Sequence, residues 1–255
     1  VTGRLSAEET TALLHEVPAA YQTQITDVLL TALAQTLTHW TGNAVRIELE
    51  GHGREDLFAE VDLARTVGWF TTLYPVVLEV DLWAGPGEQL KAIKEQVRQI
   101  PQRGIGYGLL RYLNESQDTA PLRAMPPAQI NFNYLGQLDR GTPTDGLLKP
   151  APGSTGQSQS PDNPRRYLIE ITGSVYEGIL QFSWSYSEEL HQRATIERLA
   201  QEYIAALRAL IEHCLSPDAG GFTPSDFPLA QLDQYTLDKL SSLLDDVDTS
   251  EELPV

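Results

Sequence analysis

The sequence predicts an α/β fold with a mixed sheet flanked by helices. Three observations lead there. Period-two apolar runs alternate with period-3.6 stripes along most of the 255 residues. A hairpin signal, Glu177-Gly178, lies between two strand-like runs. Each long helical stripe is apolar on one side only, as expected of helices that pack on a sheet.

The elements follow in order. Ser6-Ala-Glu-Glu9 has the form of a capping box, so a short helix runs from Thr10 to Val17 and stops at Pro18. A longer helix spans Thr23 to Trp40, with Val28, Leu29, Ala32, Leu33 and Leu37 on one stripe and Gly42 as its stop. In the strand that follows, Val45, Ile47 and Leu49 face one way and Arg46, Glu48 and Glu50 the other, so one side of it is polar. Val76 to Leu82 reads as a strand, Glu88 to Ile100 as an amphipathic helix, and Gly106 to Leu113 as a short helix entered through a glycine-rich turn. Ala128 to Leu135 is a strand, Tyr167–Tyr176 and Gly178–Tyr186 form the hairpin, and Gln192 to Leu215 is helical. Residues 137–165, crowded with Gly, Pro, Ser and Thr, read as a long loop.

A formal charge of −17 opposes nucleic acid and anionic membrane surfaces as partners. No run is long enough for a membrane span. The single cysteine, Cys214, has no internal partner and sits in a helical stripe, which reads as a small buried hydrophobe in a cytoplasmic protein. The chain begins at Val1, and its single methionine is Met125, so a piece of a longer protein is expected. His15, His39, His191 and His213 lack metal-ligand spacing, and no metal site is expected. No Gly-x-Ser-x-Gly elbow and no nicotinamide or flavin signature occurs, which leaves acid–base chemistry without a directly bound cofactor.

The most informative run is Glu50-Gly-His-Gly-Arg-Glu55. An alternating strand that ends at a carboxylate and enters a two-glycine turn holds an acid or base rigidly and lets backbone approach a ligand. Together with Arg65 to Pro75, Pro101-Gln-Arg-Gly-Ile-Gly-Tyr-Gly108 and Phe132-Asn-Tyr-Leu-Gly136, this run resembles four ordered motifs of the epimerization domains of nonribosomal peptide synthetases. The resemblance covers roughly residues 1–230. The family's upstream His-His-x-x-x-Asp-Gly motif does not occur, so the similarity is to the C-terminal half of such a domain.

The resemblance implies one lobe of a chloramphenicol-acetyltransferase-like architecture, with the lobe at 1–221 and a linker toward a following module at 222–255. It implies an active site in a tunnel shared with a missing N-terminal lobe. The substrate would be an aminoacyl or peptidyl thioester on the phosphopantetheine of a peptidyl carrier protein, and neighbouring synthetase modules would be partners. Glu50 is then the candidate for one of two proton-transferring groups on opposite faces of the α-carbon, with Glu55 as its rival. Tyr134 is the second catalytic candidate, through a hydrogen bond to the thioester oxygen or assistance in protonation. Strand alternation lets at most one of Asn133 and Tyr134 face the substrate unless a bulge intervenes.

Supporting roles fall to His52 as a turn strut, Arg54 as an ion-pair partner of Glu50 or Glu55, Tyr107 as a lesser phenol, and Trp69 as a wall of core or channel. The opposing base would be a histidine this chain lacks, so the chain alone should be inactive. The alternatives are half of an amide-forming condensation domain, or a docking or scaffold module without chemistry. Loss of the facing lobe would expose apolar surface and could promote dimerisation.

Overall fold

The computed structural model describes residues 1–138, 156, 160, 163–230 and 232–248. Most of the long loop read from composition therefore lies outside the described residues, as does the end of the tail. The strands are β1 (Thr2–Arg4), β2 (Val45–Gly51), β3 (Thr72–Leu78), β4 (Ile130–Gln137), β5 (Ile169–Tyr176) and β6 (Ile179–Tyr186). The helices are α1 (Ala7–His15), α2 (Val17–Tyr21), α3 (Ile25–Thr41), α4 (Pro86–Arg98), α5 (Ala120–Ala124), α6 (Arg193–Cys214) and α7 (Gln234–Asp248).

The sheet has the order β1-β6-β5-β4-β2-β3. β2, β4 and β5 run parallel, and β3, β6 and β1 pair antiparallel with their neighbours, so the sheet is mixed as expected. Its register sorts side chains into rows that cross several strands. Ile47, Ile130 and Ile169 form one apolar row, and Leu49, Phe132, Ile171 and Trp184 the next. Both rows are buried under α3 and α6, which pack on each other. The opposite face carries the polar row Glu48, Asn131, Glu170 and Ser185. Period two therefore divides a greasy face from a hydrophilic one along the same strands.

Helix α3 is buried on nearly all sides, including Thr31 and Thr36, because it packs against the sheet, α6 and α4. The hydroxyls of Thr31 and Thr36 bond back to the carbonyls four residues before, so they enter the interior satisfied. Asp27 opens α3 fully buried, and Arg98 of α4 meets its two oxygens at 2.9 and 2.7 Å. That forked pair ties α3 to α4 with the geometry a guanidinium favours. In α6 the expected stripe, Ile196, Leu199, Tyr203, Ile204, Leu207 and Leu210, is buried throughout.

Several expectations need correction. The strand expected at Val76–Leu82 lies at Thr72–Leu78, because an edge strand accommodates Pro75 within it. Pro18 opens α2 rather than ending helical structure, as a proline in a first turn can. In place of one short helix at Gly106–Leu113 there is a 3-10 turn at Pro101–Gly104 and a π-helical turn at Leu109–Leu113. At the start of the expected linker, Thr223 is buried and Asp226 meets the buried Lys94 of α4 at 2.6 Å, so residues 223–226 pack on the lobe. Helix α7 follows, with Leu237 buried.

Candidate functional site

Glu50 leaves the hydrophilic face of β2 two residues beyond Glu48. The parallel register that sets Glu48 beside Asn131 brings Asn133 next to Glu50, and Asn133 Nδ2 donates to Glu50 Oε2 at 2.7 Å. Glu50 is partly buried. Burial pushes its carboxyl above the ordinary glutamate range; the Asn131 amide opposes this, the negative charge of Glu48 adds to it, and Arg166 and Glu170 act in opposite senses at longer reach. A carboxyl so placed takes up and gives back a proton closer to neutral pH than an exposed glutamate does.

Alternation decides between Asn133 and Tyr134. Tyr134 continues the row Ile130, Phe132 and pairs with Gly173, itself beside Phe182, so it packs against the core on the far face from Glu50. The bulge of β4 comes after Tyr134 and does not turn it over. Tyr134 as the second catalytic group is thus separated from Glu50 by the thickness of the sheet.

The glycine turn is built for close packing. Gly53 has φ +65°, and a Cβ on it would lie 1.6 Å from the carbonyl oxygen of Phe70. Only glycine lets that carbonyl approach. His52 is exposed; its Nδ1 accepts from the main-chain nitrogen of Arg54 at 3.0 Å, and its Nε2 lies 3.3 Å from Glu55. It is a strut of the turn, away from Glu50. Glu55 is taken up by His52 and by Arg103, 3.5 Å away.

Arg54 does not pair with Glu50 or Glu55, as had been expected. It donates to the carbonyls of Leu63 and, at 2.8 Å, Thr66, and it stacks 4.2 Å over the Phe70 ring. Its role is to hold the 54–70 segment in place. Trp69 is 90% exposed and walls no core.

A cleft of about 380 Å³ opens beside the polar face, lined among others by Glu48, Leu73, Tyr107, Tyr112 and Arg166. Tyr107 thus borders it, its hydroxyl accepting from Arg111 at 2.5 Å. Sequence reasoning passed over three residues here. Glu48 is 6% exposed, and its Oε2 accepts from Arg166 at 2.8 Å and from the Tyr167 hydroxyl. The signal was present in the alternation that put Glu48 and Glu50 on one side; Arg166 and Tyr167 lie far along the chain, and only the β4–β5 pairing brings them in. No cluster of His, Cys, Asp and Glu suited to a metal ion occurs among the described residues. No helix among them is long and apolar enough to cross a membrane.

The family model of the condensation domain matches residues 2–232. The chain is 52% identical over 242 residues to a linear gramicidin synthase of Brevibacillus parabrevis, covering 94% of the chain and 5% of that protein. It is 39% identical over 251 residues to gramicidin S synthase 1 of Brevibacillus brevis, covering 95% of the chain and 23% of that protein. It therefore spans a small part of these relatives. Among solved structures, the epimerization domain from the third module of tyrocidine synthetase B aligns with TM-score 0.76 and 41% identity, over 84% of this chain and 48% of that one. The X-domain from teicoplanin biosynthesis, 20% identical with TM-score 0.56 over 86% of this chain and 47% of that one, shares the fold. A match across nine-tenths of the sequence, on a mixed sheet whose polar face carries Glu50, shows that the chain belongs to the condensation-domain family.

Proposed function

We propose that the chain is the C-terminal half of an epimerization domain, which inverts the α-carbon of an aminoacyl or peptidyl thioester carried on the phosphopantetheine of a carrier protein. The observation that carries this reading is the Glu50 carboxyl, half-buried on the polar face of β2 and gripped by Asn133. Inversion needs one group to take the α-proton and another to return a proton from the opposite side. Glu50 is suited to one of these tasks, because burial raises its affinity for a proton while the Asn133 amide keeps its orientation. The similarity to the solved epimerization domain at 41% identity supports the same choice.

The opposing group would come from a preceding lobe, as a histidine of the family's upstream motif. Exposed apolar side chains at Leu109, Tyr112 and Leu113 are consistent with such a lobe, or a second copy, covering this end of the molecule. The chain by itself is then inactive, and the domain would act in the cytoplasm beside neighbouring modules.

The test is loss of deuterium from the α-carbon of a carrier-bound substrate, measured on the intact domain. Wild type should wash out the label and yield both stereoisomers, whereas Glu50→Gln should lower the rate by about 10²- to 10⁴-fold, the range of a general acid or base. Undiminished washout in Glu50→Gln would remove Glu50 from the reaction. Amide formation without washout would instead identify a bond-forming condensation domain.

A further inference from the structure

Glu48 has no part in the reaction as described so far, yet its position is costly. It is a carboxylate with 6% exposure, and a buried ion pair adds little or nothing to stability over apolar residues of the same volume. One of its oxygens is nevertheless held twice over. Arg166 donates to Oε2 at 2.8 Å, the Tyr167 hydroxyl donates to the same oxygen, and Asn131 Nδ2 lies 3.4 Å from the Glu48 carbonyl. Tyr167 is itself buried; burial and then the Glu48 carboxylate hold its proton far above the usual phenol range, so it remains a donor. Arg166 and Tyr167 are the residues with which the chain enters β5 after the long segment that follows β4.

We propose that Glu48, clasped by Arg166 and Tyr167, is a positioning residue for Glu50: it pins the chain entering β5 and keeps a buried negative charge two residues away on the same strand face. The proposal rests on the epimerase reading and deepens it. Two residues along a strand span roughly 7 Å, within reach of strong coupling where water is scarce. The charged and titratable groups that face Glu50 are Glu48 from β2, Arg166 and Tyr167 from the approach to β5, and Glu170 from β5; β4 offers the neutral amides Asn131 and Asn133, and β3 offers Leu73 opposite Glu50. Glu48 strengthens the hold of Glu50 on a proton and Arg166 weakens it, so the pair acts as a setting device with two opposed controls.

The experiment is the pH dependence of α-deuterium washout by the intact domain. Glu48→Gln keeps the volume and an acceptor for Tyr167; Arg166→Met keeps the stem of a side chain that is 54% exposed. The limb of the profile governed by Glu50 should move to lower pH in Glu48→Gln and to higher pH in Arg166→Met, by roughly half a unit to one unit each. Arg166→Lys should return it toward the wild-type position. A purely structural role would lower rates without moving the limb in opposite senses. Limbs that stay in place in a domain where Glu50→Gln is inactive would overturn this proposal and leave the epimerase reading intact. An active Glu50→Gln would overturn this proposal together with the role given to Glu50, and amide formation without washout would overturn the epimerase reading itself. Should Glu48→Gln fail to fold, the two Arg166 variants decide the matter alone.

Discussion

Asn133 reaches across the parallel pair β2–β4 to place its amide 2.7 Å from a carboxyl oxygen of Glu50, while Tyr134, its neighbour in sequence, lies on the other face of the sheet, partly buried against the core. A single peptide step thus separates a residue that touches the candidate acid–base group from one that packs against Gly173 and the core.

Asn133→Leu should raise the proton affinity of Glu50. A donor to the charged form favours that form, so its deletion shifts the carboxyl upward. In the intact domain the Glu50-governed limb of deuterium washout should move to higher pH, the same sense as Arg166→Met. Asn133→Asp, which sets a second negative charge there, should move it further. A profile unchanged by both would show that the 2.7 Å contact does not tune the carboxyl.

Gly53→Ala should destabilise more than Gly42→Ala, although both glycines have positive φ, +65° and +73°. At Gly42 the added methyl meets nothing within 4 Å, and the cost is the left-handed conformation, about 1 kcal/mol. At Gly53 it would lie 1.6 Å from the Phe70 carbonyl oxygen, adding roughly 1–3 kcal/mol of clash and backbone strain. Denaturant titration of the two variants measures the difference, and equal losses would contradict the packing described for the turn.

Asp226→Ala should cost about 3–5 kcal/mol, because it leaves the ammonium of Lys94, 1% exposed, without its counter-charge. The Tyr21 carbonyl, 2.9 Å from Nζ, is a poor substitute for a carboxylate. Combining Lys94→Met with Asp226→Leu should recover much of the loss. Urea unfolding of both variants tests this, and a mild Asp226→Ala would mean that the ammonium finds water.

Cys214 should resist alkylation. Burial pushes its thiol up to about 11, so at pH 8 only about one molecule in a thousand carries the reactive thiolate, and the side chain is 7% exposed. Iodoacetamide should label it slowly in the native protein and rapidly in guanidinium. Rapid native labelling would show that the end of α6 opens readily.

Much of this architecture was legible in the sequence because its periodicities are long and clean. The α6 stripe and the β5–β6 hairpin follow directly from the residue pattern, as does the division of β2 into an apolar and a polar face. Misreadings arose where one residue has two uses. Pro18 read as a helix stop, yet it starts a helix, and Pro75 fell outside the expected strand, yet an edge position takes it in, which only the assembled sheet shows. Glu50 stood out by its motif. Glu48 did not, since its significance depends on Arg166 and Tyr167, more than a hundred residues away and joined to it by strand order. Arg54 was matched with the nearest carboxylates, whereas backbone carbonyls of the 54–70 segment were the acceptors its planar fork could reach.

Pro75 has a bearing on how the molecule behaves in company. It sits midway along β3, the outermost ribbon on one flank of the sheet, opposite Glu48. With no hydrogen on its nitrogen, it interrupts the row of donors that a foreign strand would need in order to zip onto that flank. The margin beside the candidate carboxyl is thereby blunted against stacking with copies of itself, and the proton transfer proposed for Glu50 would take place next to an edge poorly suited to recruiting stray polypeptide.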